Sequence, residues 1–183
     1  MRTALVMMLA AGLVLTPVSV PAASPTSYDA VRDGLLAVWA EMPLSARHVT
    51  LTDGPATGFG AYSPSADAAF APGDKIYVYF ELAGYGFADD ANGFIRTDVG
   101  VDLELRDGKG NVVASRQGIA TLALHAREKP LESYLSLSGS LGAFPPGDYT
   151  LRYLLHDRIG GKEGEAAVTV TLSGDSASSA PAN

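Results

Sequence analysis

The chain has 183 residues, about one domain's length. Apolar residues make up 47% and charged residues 18%, which excludes a disordered or polyelectrolyte chain. Lys and Arg number 13 against 20 Asp and Glu, so the net charge of −7 argues against a nucleic-acid binder, and the absence of cysteine excludes disulfides, thiol nucleophiles and Cys-ligated metals.

Residues 1–22 read as a secretory signal peptide. Arg2 supplies the positive start, Thr3 to Leu15 carries no charge, and Pro17 is followed by small residues. Cleavage fits best after Ala22, with Val20 three residues before the cut. A retained anchor is the alternative, although the apolar run is short for a span of about 20 residues. No later stretch approaches spanning length, so no membrane span is expected after signal cleavage. Cleavage removes one positive charge, Arg2, and takes the net charge from −7 to −8. A leader on a chain without cysteine suits a periplasmic or secreted bacterial protein.

Residues 23–46 read as a helix and a link. Thr26 or Ser27 caps it. Tyr28, Val31, Leu35, Val38 and Met42 recur at helical spacing, and Trp39 widens the stripe. Pro43 ends it. Such a stripe needs a cover. One expectation is that it docks on its own domain, over the outward face carrying Tyr77, Tyr79 and Leu154. The other is that it meets a second copy or a partner.

Residues 47–172 change to period two. Lys75–Leu82, Asp98–Arg106, Asp148–His156 and Glu165–Leu172 alternate strongly, placing Ile76, Val78, Phe80, Val99, Val101, Leu103, Leu151, Tyr153, Val168 and Val170 in one core. Weaker strands are read at His48–Thr52, Gly58–Tyr62, Asn111–Arg116, Ile119–Leu124 and Leu131–Leu137. Turns follow from Asp107-Gly108-Lys109-Gly110-Asn111, Gly160-Gly161, Pro72-Gly73 and Pro146-Gly147. The pattern F-x-P-G-D-x-x-x-x-Y occurs twice, at Phe70–Tyr79 and Phe144–Tyr153, and reads as one turn solution used twice. The expected fold is mainly β: an antiparallel β-sandwich of about seven to nine strands with one N-terminal amphipathic helix, a closed barrel being the alternative. Residues 173–183, small and polar, read as a disordered tail.

Pro146–Leu151, followed by His156-Asp157 and a glycine hairpin, looks like the closing hairpin of immunoglobulin-like domains in exported bacterial proteins. With Gly58–Tyr62, Phe70–Asp74 and Tyr77–Glu81, the chain resembles a group of uncharacterised exported proteobacterial proteins that have a leader, a short helix and one immunoglobulin-like sandwich. The resemblance implies that fold over about residues 28–172 and brings no catalytic residues with it.

Chemistry is sparse. His48, His125 and His156 lie at no metal-ligand spacing, and there is no H-E-x-x-H, G-x-S-x-G or phosphate-loop motif. His156 falls on the outward parity of its strand. Asp89-Asp90-Ala91-Asn92-Gly93 lacks the full calcium-loop pattern and reads as an acidic turn. No cofactor or metal is implied. Ala83–Thr97 carries Tyr85, Phe87 and Phe94 among glycines; these aromatics either plug one end of the sandwich or form a contact site. The function expected is an exported non-catalytic binding or structural module of the bacterial envelope, with an envelope protein or glycan as partner. The alternative is a hydrolase whose site is assembled from dispersed Asp, Glu, His and Ser.

Overall fold

Ser27 caps the first element, its hydroxyl accepting a hydrogen bond from the Ala30 amide at 3.2 Å. Helix α1 follows at Tyr28–Glu41 and ends where Met42, preceding Pro43, turns extended (φ −67, ψ 143). The computed structural model describes residues 27–142 and 144–174. The predicted signal peptide and its cleavage site therefore lie outside the described residues, as does most of the predicted tail.

The strands are β1 (Ser45–Thr52), β2 (Ala69–Phe70), β3 (Ile76–Ala83), β4 (Ala88–Asp89), β5 (Ile95–Arg96), β6 (Val99–Asp107), β7 (Val112–Leu122), β8 (His125–Ala126), β9 (Tyr134–Gly139), β10 (Gly147–Asp157) and β11 (Glu163–Leu172). They form a three-stranded sheet in the order β1-β3-β9, a five-stranded sheet in the order β2-β11-β10-β6-β7, and a small sheet in the order β4-β5-β8. Pairing is antiparallel except for β2 on β11, which is parallel. The fold is mainly β, with open-ended sheets instead of a closed barrel.

The two larger sheets share one core. Phe80 of β3 lies against Tyr153 of β10, ring centroids 5.5 Å apart. Ile76, Val78, Val99, Val101, Leu151 and Val170 are buried around them, while Leu103 and Val168 are half-buried at its margin. Alternation put these side chains on one face of each strand, as period-two burial requires.

Three details differ from the sequence reading. Asn111–Arg116 and Ile119–Leu124 are one bulged strand, β7, which carries Gly118 at φ +62 with its amide on Asp102 Oδ1 at 2.7 Å. Gly58–Tyr62 makes only a bridge between Gly58 and Ala61. The repeated F-x-P-G-D pattern serves two purposes. Strand β3 starts two residues after Asp74, whereas β10 starts one residue before Asp148; Tyr79 faces out of the shared core and Tyr153 into it, as their strand parities predict.

The expected docking of α1 over Tyr77 and Tyr79 does not occur. Residues 53–68 cover that face instead. Tyr62 stacks on Tyr79 at 4.1 Å, the Gly60 amide donates to Tyr79 Oη at 2.8 Å, and the Ala56 amide donates to Ser136 Oγ at 3.0 Å. The chain leaving α1 instead passes closely over Gly84 (φ +80), where a Cβ would lie 2.2 Å from the Pro43 carbonyl oxygen.

Burial of tyrosines sets the alkaline limit of this fold. Burial raises the Tyr79 phenol to about 12, with Glu81 adding to the effect, and also raises those of Tyr153 and Tyr85. A raised folded pKa on a group that is neutral when protonated stabilises the fold fully below the unfolded value of about 10, and that stability is lost as pH rises beyond it. Absorbance titration should therefore show three of the eight tyrosines ionising late, together with unfolding. Eight normal titrations in a folded chain would contradict it.

Candidate functional site

Helix α1 meets the body of the protein at two places. Near its start, Arg32 donates to Glu128 Oε2 at 3.3 Å and to the Lys129 carbonyl at 3.1 Å. Near its end, the buried Trp39 donates through Nε1 to the Tyr85 carbonyl at 2.9 Å and meets the Tyr85 ring edge-on at 5.1 Å. Lys162, from the turn before β11, completes the second anchor. Its ammonium donates to the carbonyls of Ala40, Met42 and Gly84 at 2.7–2.8 Å, so a cation closes the helix C-terminus and ties it to the loop after β3.

Both anchors lie on one side of the helix, and the predicted stripe divides accordingly. Trp39 is buried and Met42 half-buried, but Tyr28, Val31, Leu35 and Val38 are 76%, 58%, 49% and 60% exposed. The expectation that the whole stripe packs on its own domain is thus corrected. Arg32 and Trp39 turn inward because they reach hydrogen-bonding and aromatic partners, and the half-buried Leu36 lies on their side, leaving Val31, Leu35 and Val38 in solvent. Beside them runs a groove of about 490 Å³, walled by Tyr28, Val31, Leu35, Pro130 and Leu131 together with the charged Arg32, Lys129 and Glu132.

The anchor at Lys162 gives a direct test. Trp39 is the sole tryptophan, so its emission reports the docked state. Lys162→Met should release the end of α1, shift that emission to the red and cost about 1–3 kcal/mol, the loss of hydrogen bonds to a charged group. Unchanged emission and stability would show that the contact holds nothing.

The aromatics of the 83–97 segment separate. Tyr85 is a buried plug whose hydroxyl donates to the Pro130 carbonyl at 2.5 Å and also meets Ser133 Oγ. Phe87 is half-buried against it at 5.3 Å. Phe94 lies in a second cluster, stacked between His125 at 4.4 Å and the Arg127 guanidinium at 3.9 Å. They therefore do not form a joint contact site. Asp90 accepts from His125 at 2.6 Å and from the Phe94 amide at 3.0 Å, and these bonds, His125's first, hold its carboxyl below the ordinary range. The Asp89–Gly93 stretch is a hydrogen-bonded turn, and among the described residues no group of three His, Asp or Glu side chains is arranged to hold a metal ion.

The other two histidines face carboxylates. His156 Nδ1 lies 2.5 Å from Glu163 and its Nε2 3.1 Å from Asp102. His48 sits in the bulge of β1 at φ +49, with Nε2 3.8 Å from Glu81. The outer face of the five-stranded sheet continues as a ladder of charge. Glu104 is held below its ordinary pKa by Arg106 first and Arg152 second, while Arg152 also pairs with Glu165. Lys162, Pro130 and Leu131 were missed as site residues. Their role depends on which distant segments meet, although the isolated lysine after Gly160-Gly161 was a visible signal.

No protein-family model matches the chain, and no curated protein matches it. Among solved structures, the alkylpurine DNA glycosylase AlkC of Pseudomonas fluorescens, bound to DNA containing an abasic site analogue, superimposes with a TM-score of 0.41 and 12% identity. The match covers 79% of this chain but only 36% of the glycosylase. The sulfur carrier protein SoxY of Chlorobium limicola f thiosulfatophilum superimposes with a TM-score of 0.34 and 14% identity, covering 80% of this chain and 99% of SoxY. Neither likeness is close enough to transfer a residue or an activity.

Proposed function

We propose that this protein is an exported, non-catalytic module of the bacterial envelope, built on an immunoglobulin-like sandwich, that holds a partner protein on the outward face of α1. The observation that carries the reading is the exposed Tyr28, Val31, Leu35 and Val38 stripe beside its groove. Residues 1–22 supply the argument for export. A protein fits the stripe better than a glycan, because its exposed Val31, Leu35 and Val38 offer sugar hydroxyls no hydrogen bonds and the polar groups lie only in the groove beside them. It also fits better than an anionic membrane surface. The helix carries Asp29, Asp33 and Glu41 against the single cation Arg32, whereas helices that lie on such surfaces are basic.

The hydrolase alternative has less support. His156 is the histidine most fully flanked by acids, but both ring nitrogens already face carboxylates, leaving neither to take a proton from a hydroxyl nucleophile.

A photo-cross-linking residue placed in living cells at Val38, with exposed Val112 as control, tests the surface. An adduct of fixed mass is expected from Val38 alone and should vanish with Leu35→Asp. Equal adducts at both positions, or an adduct indifferent to Leu35→Asp, would reject the reading. Mass spectrometry of the periplasmic fraction tests export, with a chain beginning at Ala23 expected. A soluble periplasmic chain still beginning at Met1 would end that part of the proposal.

A further inference from the structure

Strands β7 and β9, each at an edge of one of the two larger sheets, approach each other, and a cleft lined from both opens there. Its deep part, about 80 Å³, is walled by Leu103, Ile119, Leu137, Leu151 and Tyr153. Its outer part, about 320 Å³, is walled by Leu103, Leu105, Ala114, Arg116 and Phe144. Both parts share Leu103, Ser140 and Leu141 as walls. The outer part alone reaches the lower end of the range for small-molecule sites, roughly 300–1,000 Å³, and its mainly apolar lining is typical of them.

Two polar groups in this cleft are unmatched. Tyr153 is only 4% exposed, and burial alone accounts for its raised phenol pKa. Its hydroxyl makes no hydrogen bond among the described residues. Yet no fully enclosed side-chain polar atom there lacks a partner, so the Tyr153 hydroxyl must border open space, and the deep part of the cleft is the space it lines. A hydroxyl that faces this apolar space without a protein partner is free to donate to a ligand acceptor. At the outer part, the exposed Arg116 makes no ion pair among the described residues; neither do Arg47, Arg96 and Arg127, but of these four only Arg116 lines the cleft. It lines this part together with apolar side chains and two serines, Ser115 and Ser140, and no acid is among them.

We infer that the cleft between β7 and β9 binds a small apolar carboxylic acid bearing an oxygen on its chain. The carboxylate pairs with Arg116, the apolar body lies along Leu103 and Leu141, and the inner oxygen accepts from the Tyr153 hydroxyl. A guanidinium favours a carboxylate because its paired N–H groups match the two oxygens. The site is separate from the α1 face and does not depend on it.

Calorimetric titration of the full chain tests this with ω-hydroxy fatty acids of short and medium length, the matching unsubstituted acids, and the matching alcohols and amines. The hydroxy acids should bind best, the plain acids next, and the alcohols and amines least. Arg116→Gln should weaken acid binding about tenfold, the scale of one lost charge-assisted contact, and abolish the preference for acids over alcohols. Tyr153→Phe should leave that preference and abolish the advantage of the hydroxyl. Thermal melting establishes that each variant is folded, and Arg116, exposed on an edge strand, is the safer of the two. Equal binding of acids and amines, an undiminished acid preference in Arg116→Gln, or no binding by any acid would overturn the inference.

Discussion

Phe80→Ala is expected to destabilise the protein by about 3–5 kcal/mol in urea unfolding, the upper range for truncating an aromatic core residue. Phe80 is fully buried at the middle of β3, and its ring spans the gap to Tyr153 on the facing sheet. The lost transfer energy is compounded by a cavity. Both walls are backbone-paired sheets, β1-β3-β9 on one side and β10 between β11 and β6 on the other, so neither moves easily to fill it. Because the contact joins the two layers, the loss should appear as a lower midpoint of one cooperative transition. A loss below about 1 kcal/mol would show that the ring does not bridge the sheets as described.

Asp157→Ala is expected to have an effect of similar size, about 3–5 kcal/mol, for a different reason. The Asp157 carboxylate is buried at the end of β10 and accepts from three amides: Gly86 at 2.6 Å, Gly160 at 2.8 Å and Ile159 at 3.1 Å. Alanine would leave those donors unpaired where water reaches them poorly, each costing about 1–3 kcal/mol before the loop relaxes. The same carboxylate ties the segment after β3 to the β10–β11 turn. Its loss should therefore free Tyr85, release Trp39 and shift the tryptophan emission along with stability. Amide exchange should speed up first at Gly86. Gly86→Ala should mimic part of this, since its Cβ would lie 2.6 Å from the Gly160 nitrogen. If Asp157→Ala lowered stability without moving the Trp39 emission, the carboxylate would be shown not to support the helix anchor.

The long strands were legible because their signal is local. Lys75–Leu82, Asp98–Arg106, Asp148–His156 and Glu165–Leu172 fall within two residues of β3, β6, β10 and β11. Alternating side chains must face opposite sides of a strand wherever the strand lies. The turn at Pro72-Gly73 was readable for the same reason, with Gly73 at φ +89 and Asp74 bonded back to Ala71. The candidate sites were less legible. Asp157 was legible only as a residue preceding a glycine hairpin, because its three donors come from two segments far apart in sequence. Arg116 was legible only as the end of a weak strand, since what lies around it depends on which distant segments meet.

Composition, period and turn chemistry by themselves determined that this chain folds as mainly β with one capped helix, and which side chains enter its main core. Those quantities depend on residues a few positions apart, so they are written directly in the order of amino acids. Only the tertiary structure decided which side of α1 faces inward, what covers Tyr79 and where a cleft remains. The apolar stripe alone could not choose between burial and exposure. Trp39 needed the Tyr85 carbonyl, Arg32 needed Glu128, and the helix end needed Lys162, each supplied from at least 46 positions away along the chain. Once those partners hold one side of the helix, geometry leaves Val31, Leu35 and Val38 in water.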